Sequence, residues 1–376
     1  SKLINTTIFG GKGQDTINLE GNAVFSAGKV NGYEDNDTIK FQAGSATNYF
    51  IGGGKGNDTI SGDFNKLYTS SVVGGQGQDS LILADIGSAK GVVIAADALD
   101  RSNTSANGAD SIYISGAVLT STIQGGAGNY SLTIALSAAS GNTVYLDAGN
   151  DLVSAIAGTD ISNSTFYFGG GDDKFLLADT GTVNSGTKLI MGGGDDTVTL
   201  SALAMESGRF AGLTIRGGAG ADYLLESTNI ATGATAEPII EFLTSTDSTL
   251  TAGYDTIALD AGSGQSADYT FNYVPGSLVR GTFSANGVTA SAGKVTFTGT
   301  FDAAVTARAE KIVELGATND TYAFADGAGN SFLFIMGASG QTIAQVGSAA
   351  ITGDVQDATF TITDGSRINL SIGGAS

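Results

Sequence analysis

The sequence predicts an all-β protein: a parallel β-solenoid (a β-roll or β-helix) with about 20–23 residues per coil over residues 1–242, followed by a second β-rich region over 243–376. Two observations carry this prediction. A glycine–aspartate block recurs along the chain, and apolar and polar residues alternate beside each copy. Alternation with a period of two indicates half-buried strands, and a repeat near 20 residues is typical of stacked solenoid coils.

Each copy of the block has a glycine-rich turn, an aspartate and then a strand. The clearest copies, GGKGQDTI, GGKGNDTI, GGQGQDSL and GGAGADYL, begin at Gly10, Gly53, Gly74 and Gly217. Shortened copies end at Asp173 and Asp196, weaker copies end at Asp37, Asp110 and Asp151, and one copy has Tyr130 in place of the aspartate. The longer steps from 79 to 110 and from 196 to 222 predict inserted loops.

Two strands fit into each repeat. One follows the aspartate, as at 80–83, and the other precedes the next glycine turn, as at 49–51. A variable loop, such as 201–212, is expected between them. Because one repeat cannot bury its own apolar face, we expect equivalent strands of successive coils to pair in parallel about 4.8 Å apart.

The C-terminal region, 243–376, loses the regular repeat but still alternates as strands, for example at 294–301 and 331–335. The segment 303–315 is either a helix or a bulged strand. This region is expected to cap the solenoid, to continue it or to mediate assembly.

Composition excludes several functions. The 37 acidic and 17 basic residues give a net charge of −20, which repels nucleic acid. The absence of cysteine and histidine removes disulfides and the commonest general base. No apolar run reaches the length of a membrane helix, so membrane insertion is not expected.

Glycine and aspartate together indicate a metal site. Glycine adopts the positive φ angles that tight turns need, and it leaves the backbone carbonyl open to a ligand. Calcium takes six to eight hard oxygen ligands, which carbonyls and one carboxylate per turn could share between coils. The alternative is that each aspartate merely completes a local Asx turn.

The block resembles the RTX (hemolysin-type) calcium-binding repeat, G-G-x-G-x-D-x-U-x, of bacterial proteins exported by type I secretion, over about residues 9–242. The resemblance implies Ca²⁺ ligands, which are the carbonyls of Gly10, Lys12, Gly13, Gly53, Lys55, Gly56, Gly74, Gln76, Gly77, Gly217, Ala219 and Gly220 and the carboxylates of Asp15, Asp37, Asp58, Asp79, Asp110, Asp151, Asp173, Asp196 and Asp222. RTX repeats have nine residues per half-coil, whereas one block occurs here per 20–23 residues. We therefore expect one metal column, along one edge.

The expected function is structural. The leading hypothesis is a secreted bacterial cell-surface protein, a subunit of a surface layer (S-layer) or filament that self-associates with calcium. An RTX adhesin that binds a ligand, such as cell-surface polysaccharide, through its insertion loops is an alternative. A β-helix polysaccharide lyase is another, but its candidate bases are scattered along the chain, so no enzyme is predicted; these are Lys90, Arg101, Arg209, Arg216 and Arg280.

Overall fold

The structure is a computed structural model. It describes residues 2–97, 108–178, 181–184, 186–201, 210, 212–227, 239–243, 247–249, 253–259, 267–273, 279–298, 301–302, 304–328, 330–338, 340–346, 359–362 and 367–372. The protein is nearly all β, with 66% strand and 4% helix, and its parallel sheets form a β-solenoid of about nine turns. The predicted fold class is confirmed.

The chain divides into two compact units, Ser1–Ile190 and Met191–Ser376. The strands of the first unit are β1 (Lys2–Ile4), β2 (Thr7–Lys12), β3 (Thr16–Ser26), β4 (Lys29–Glu34), β5 (Thr38–Thr47), β6 (Phe50–Lys55), β7 (Thr59–Tyr68), β8 (Ser71–Gln76), β9 (Ser80–Lys90), β10 (Val93–Ala95), β11 (Ser111–Leu119), β12 (Thr122–Ala127), β13 (Ser131–Ser140), β14 (Thr143–Ala148), β15 (Leu152–Ala155), β16 (Asp160–Ser162), β17 (Thr165–Gly170), β18 (Lys174–Leu177), β19 (Thr182–Asn184) and β20 (Lys188–Gly193), which crosses the division.

One coil of the first unit has a long strand, a tight turn, a six-residue strand and the aspartate turn, as β7 and β8 show. The long strand β7 pairs in parallel with β5 and β9, which aligns Ile60 with Ile39 and Leu81. All three side chains are buried, and burial of each contributes about 1.5–3 kcal/mol. The core is therefore built from columns of equivalent apolar residues.

The edge opposite the aspartates is formed by tight turns, so the predicted variable loops are wrong for most coils of this unit. Asn48 and Thr69 adopt left-handed φ angles of 51° and 46° there, and the amide of Asn48 donates to the Tyr68 carbonyl at 3.1 Å. Directly after this turn, the amide of Tyr49 donates to Ser70 Oγ at 3.1 Å. The loop predicted at 201–212 lies mostly outside the described residues.

The second unit combines parallel coils with antiparallel hairpins. Its elements are β21 (Thr197–Ser201), β22 (Thr214–Ala219), β23 (Tyr223–Ser227), β24 (Ile239–Phe242), β25 (Asp255–Leu259), β26 (Ala267–Tyr273), β27 (Val279–Arg280), β28 (Phe283–Ala285), β29 (Val288–Ser291), β30 (Lys294–Phe297), α1 (Val305–Leu315), β31 (Asp320–Ala325), β32 (Ser331–Gly337), β33 (Gly340–Val346), β34 (Thr359–Ile362) and β35 (Arg367–Ile372). Parallel pairing continues past residue 242, through β23–β25, β24–β26 and β25–β33.

The C-terminal core packs α1 against the hairpins. The segment predicted as a helix or a bulged strand is a helix, and its buried Ala309 and Ile312 contact a cluster that includes Phe324 and Phe334. Hairpins β28–β29–β30 and β31–β32–β33 supply most of this cluster. In the described part of the chain, no helix is long and apolar enough to cross a membrane.

Candidate metal site

The glycine-rich part of each block ends a strand rather than forming a free turn. In the block that begins at Gly53, the first three residues are the last three of β6, and Lys55 pairs with Gln76 of β8. The carbonyl of Gln76 accepts a hydrogen bond from the amide of Gly56 at 2.7 Å, and that of Ala219 is used in the same way. These two predicted carbonyl ligands therefore already join neighbouring coils, and each keeps a second lone pair.

The aspartates that follow the glycines form hydrogen-bonded ladders. In seven pairs, the backbone amide of one aspartate donates to Oδ1 of the next aspartate along the column, so these groups are not local Asx turns. The amide–Oδ1 distances are 2.8 Å for Asp15–Asp37, 2.7 Å for Asp37–Asp58, 2.7 Å for Asp58–Asp79, 2.5 Å for Asp79–Asp110, 2.7 Å for Asp151–Asp173, 3.0 Å for Asp196–Asp222 and 3.3 Å for Asp222–Asp255. The aspartates of the predicted metal column therefore stack from coil to coil.

The second carboxylate oxygen, Oδ2, has no such donor in several of these aspartates. It is buried without a hydrogen-bond partner in Asp15, Asp37, Asp58, Asp79, Asp110, Asp151 and Asp222. An ionised carboxylate can only accept hydrogen bonds, and burying one without a partner is costly. Each of these oxygens therefore calls for a proton or a cation.

The first glycine of the block lies against this free oxygen. A Cβ atom on Gly53 would stand 2.3 Å from Asp58 Oδ2 and 2.6 Å from the carbonyl oxygen of Gly74, in the next coil. The same pair of oxygens recurs at Gly32, at 2.0 Å and 2.6 Å from the Cβ position. Glycine is required there because the carboxylate fills the place of a side chain. A carboxylate oxygen and a backbone carbonyl oxygen of the next coil therefore both lie beside this glycine.

The oxygens that converge here are of the type that calcium binds, which are carboxylate and backbone carbonyl oxygens. Among the described residues, however, no three acidic side chains group closely enough to hold a metal ion by themselves. Each coil supplies one carboxylate to the column, so the remaining ligands of an ion would have to be carbonyls or water. The donor set fits the sequence-based expectation of a shared site between coils.

The third glycine of the block is needed for a different reason. Gly56 has a φ of 119°, and its Cβ position is 2.4 Å from the backbone oxygen of Asp35 in the preceding coil. Gly77 and Gly220 repeat this arrangement with φ angles of 132° and 145°. At the N-terminal coil, Gly13 donates its amide to Asp35 Oδ2 at 2.9 Å. These glycines therefore allow the coils to stack closely.

Three of the predicted sites differ from the others in the first position. The block that ends at Asp173 is not shortened, because the register aligns Tyr145 with Tyr167 and Ala148 with Gly170, and the block that ends at Asp196 has the same length. Their first residue is instead apolar, Phe168 and Met191 respectively. Asp151 follows Leu146 in the same way. In these coils the aspartate remains in the column but an apolar residue replaces the glycine.

Burial makes the column hard to ionise. Desolvation raises the pKa of Asp58 to about 6, of Asp151 to about 7 and of Asp79 to about 8. The amide that donates to each carboxylate lowers its pKa in part, and the neighbouring carboxylates raise it further. Several carboxylates of the column therefore keep their protons at a pH at which an exposed aspartate is ionised.

A second ladder of hydrogen bonds, formed by asparagine side chains, lies beside the aspartates. The sequence analysis did not predict it. The amide of Asn57 donates to Asn36 Oδ1 at 2.8 Å, and that of Gln78 donates to Asn57 Oδ1 at 2.9 Å. These bonds run in the direction opposite to those of the aspartate ladder. The same pattern joins Asn150 to Asn129 at 2.8 Å. Its sequence signal is the frequent Asn or Asp directly before the column residue.

Tyr130 keeps the donor half of a ladder step but has no carboxylate to accept one. Its amide donates to Asp151 Oδ1 at 2.8 Å, as an aspartate would. Its hydroxyl donates to Oδ2 of Asp97, which is 4% exposed and was not among the predicted site residues. Burial and the carboxylate of Asp97 raise the pKa of Tyr130 far above its ordinary value, so the phenol keeps its proton.

In the second unit the column ends at a hydroxyl. The amide of Asp255 donates to Ser248 Oγ at 2.7 Å, and that hydroxyl donates to the Ile343 carbonyl. Burial raises the pKa of Asp255 well above its usual range. A cavity beside this segment is lined by Asp196, Asp222 and Asp255 together with apolar side chains. The only sequence signal for Asp255 is a faint copy of the repeat at 254–259.

The candidate bases of a lyase that the structure describes lie on separate strands. The guanidinium group of Arg216 pairs with Glu241 on the neighbouring strand β24. Lys90 is exposed at the end of β9, and Arg280 is exposed on β27. Arg101 and Arg209 lie outside the described residues.

An aromatic cluster lies on the outer face of β2, β4 and β6. Phe9 and Tyr33 are 52% and 43% exposed, and their rings meet edge to face at 5.0 Å. Lys29 Nζ lies 4.9 Å from the ring centre of Phe50. Next to this cluster is an open cleft whose lining includes Asn31, Tyr33, Phe50, Gly54 and Gln76. The cleft lies on a sheet face rather than in an insertion loop.

Comparison with known proteins adds no family to these observations. The chain matches no protein-family model, no curated protein and no solved structure. The likeness to RTX repeats therefore depends on the repeated motif alone.

Proposed function

We propose that this protein is an extracellular structural protein whose β-solenoid is stabilised by calcium bound in the aspartate column, and whose subunits assemble at a bacterial cell surface. One observation carries the proposal: buried Oδ2 atoms without donors face backbone carbonyls of the next coil. A buried ionised carboxylate oxygen without a donor is stable only with a positive charge or a proton beside it.

Calcium suits this arrangement better than magnesium. Asp58 would hold the ion through Oδ2, and Gly74 of the next coil through its carbonyl oxygen. When bound, calcium would supply the positive charge that the buried carboxylates lack. Magnesium requires a tighter octahedral shell and retains its waters, whereas calcium accepts irregular sets of carbonyl and carboxylate oxygens.

The proposed extracellular location rests on the resemblance to RTX repeats. That resemblance implies a chain that stays unfolded at low cytoplasmic calcium and folds after export. The net charge of −20 opposes binding to nucleic acid and to anionic membranes. Self-association into a layer or filament is the part of the proposal that depends most on the resemblance.

The test compares unfolding and assembly in EGTA and in CaCl₂. We expect calcium to raise the unfolding temperature, since an ion at 100 times its Kd adds about 2.7 kcal/mol per site. MgCl₂ at equal concentration should have a much smaller effect. Sedimentation velocity and electron microscopy of the same samples should show calcium-dependent assembly.

Asp58→Asn should reduce the calcium-induced rise, whereas Asp63→Asn, at an exposed residue of β7 outside the column, serves as the matched control and should not. Identical melting curves in EGTA and CaCl₂, with no calcium bound in equilibrium dialysis, would contradict the proposal that the protein binds calcium. Stabilisation by calcium without any assembly would exclude the surface-layer or filament role but leave the proposed calcium binding intact.

A second candidate function, an adhesin that binds neutral polysaccharide, is favoured by the aromatic cluster and its cleft. Aromatic rings pack well against the apolar faces of sugar rings, and the amides of Asn31 and Gln76 could supply directed hydrogen bonds.

Affinity electrophoresis in gels containing neutral polysaccharides tests this role. We expect Tyr33→Ala to weaken retardation about tenfold, equivalent to 1.4 kcal/mol. Tyr167→Ala, at an exposed tyrosine on β17, is the control and should leave retardation unchanged. Equal effects of the two substitutions, or no retardation of the unmodified protein in any gel, would exclude this cleft.

A further inference from the structure

The coils of the column are of two kinds, which differ at the position five residues before the column residue. The first kind has glycine there, at Gly10, Gly32, Gly53 and Gly74. The second kind, in the later coils of the first unit, has Leu146 before Asp151 and Phe168 before Asp173. Both kinds keep the amide–Oδ1 ladder, so the difference does not affect how the coils are joined.

In the glycine coils, oxygen atoms occupy the space beside the backbone. At Gly10, a Cβ would be 2.6 Å from Asp15 Oδ2 and 2.8 Å from the Gly32 carbonyl oxygen. At Gly74, it would be 2.5 Å from Asp79 Oδ2 and 2.2 Å from the Ala96 carbonyl oxygen. Each of these coils therefore places a carboxylate oxygen and a carbonyl oxygen beside the glycine; the Ala96 carbonyl also accepts the amide of Gly75 at 2.9 Å and keeps a second lone pair.

In the later coils, carbon occupies that space. Leu146 and Phe168 are 1% and 0% exposed. The ring of Phe168 packs edge to face against Phe175 at 6.5 Å, so it belongs to the apolar core. An apolar side chain at this position offers no oxygen ligand and takes up the volume that a cation would need.

In the coil of Tyr130, a different side chain fills the space beside the glycine. It has the glycine, Gly125, but the Cβ position there lies 2.9 Å from Cδ2 and 3.0 Å from Cγ of Tyr130. The ring thus takes the place that Asp58 Oδ2 has beside Gly53. The Tyr130 hydroxyl donates to Oδ2 of Asp97, so a proton donor occupies this side of that carboxylate, whereas its Oδ1 is buried without a partner.

We infer that, among the coils of the first unit whose blocks the structure describes in full, cations bind only where the block begins with an open glycine, at Asp15, Asp37, Asp58 and Asp79. The side chains of Tyr130, Leu146 and Phe168 fill the corresponding space in the later coils. This inference rests on the proposed calcium binding. It divides the solenoid of this unit into a calcium-dependent part and a part whose stability is independent of calcium.

The test is a matched pair of substitutions, Asp58→Asn and Asp151→Asn. Each keeps an oxygen that can accept the ladder hydrogen bond and removes the charge from Oδ2. Calcium bound per molecule is measured by native mass spectrometry and equilibrium dialysis. We expect Asp58→Asn to bind at least one ion fewer than the unmodified protein and Asp151→Asn to bind the same number. An equal loss in both variants would overturn the inference.

Hydrogen exchange of the unmodified protein gives a readout that does not depend on either variant folding. Transfer from CaCl₂ to EGTA should accelerate exchange in β6 to β9 and leave β13 to β18 unchanged. Uniform acceleration would overturn the inference while leaving the proposed calcium binding intact. If the unmodified protein binds no calcium at all, the proposed function fails first, and the two failures are thereby distinguished.

Discussion

At the scale of single residues, glycine and aspartate of one block depend on each other. Gly53 does not have a positive φ, so the need for glycine there is steric and not conformational. Its missing side chain is the space that Asp58 Oδ2 occupies. The motif therefore pairs a buried carboxylate with the one residue small enough to lie against it.

Gly53→Ala should accordingly destabilise the protein by about 1–3 kcal/mol, the usual cost of forcing an extra methyl group into a packed site. Gly52→Ala is the control. A Cβ on Gly52 would meet only the ends of the Asn31 and Phe50 side chains, which can move aside. Urea denaturation in EGTA measures both. Equal destabilisation by the two substitutions would show that the carboxylate does not depend on this glycine.

At the scale of elements, each coil is held to the next by polar ladders at both edges. The aspartate edge carries two ladders of opposite direction, through Asp58 and Asn57. The other edge carries a ladder in which the amide of Val92 donates to Ser121 Oγ at 3.2 Å and that of Ser121 donates to Asn142 Oδ1 at 2.9 Å. Side-chain acceptors therefore satisfy backbone amides at the turns, where strand pairing is interrupted.

At the scale of the whole molecule, the aspartate column makes stability depend on pH. Because burial raises the pKa of Asp58 to about 6 and of Asp79 to about 8, the folded state keeps protons that the unfolded chain, with a pKa near 3.9, has already released. Stability from these groups is fully present below about pH 4 and is lost as pH rises through 6 to 8.

We therefore expect the unfolding temperature in EGTA to fall between pH 5 and pH 8, and calcium to remove most of that fall by stabilising the ionised carboxylates. Asp79→Asn should flatten the profile in EGTA, because an amide does not titrate. Differential scanning calorimetry across this pH range measures the effect. A calcium-free protein that becomes more stable as pH rises would contradict this assignment of the buried carboxylates.

The sequence by itself determined the solenoid, its coil length and most residues of the aspartate column, because every copy of the repeat has the same local surroundings. The turns opposite the column were missed, since Asn48, Thr69 and Thr120 adopt the left-handed conformation without a glycine to signal it. Only the tertiary structure showed that the first half of each glycine block is strand and that Oδ1 and Oδ2 have different surroundings.

The tertiary structure also aligned Leu146 and Phe168 with the first glycine of the other blocks. It further revealed the hydrogen bond from the Tyr130 hydroxyl to Asp97, 33 residues away in sequence. The physical reason is that a coil's aspartate is surrounded by atoms of the coils on either side. Which atoms those are is set by the stacking register and not by the local motif.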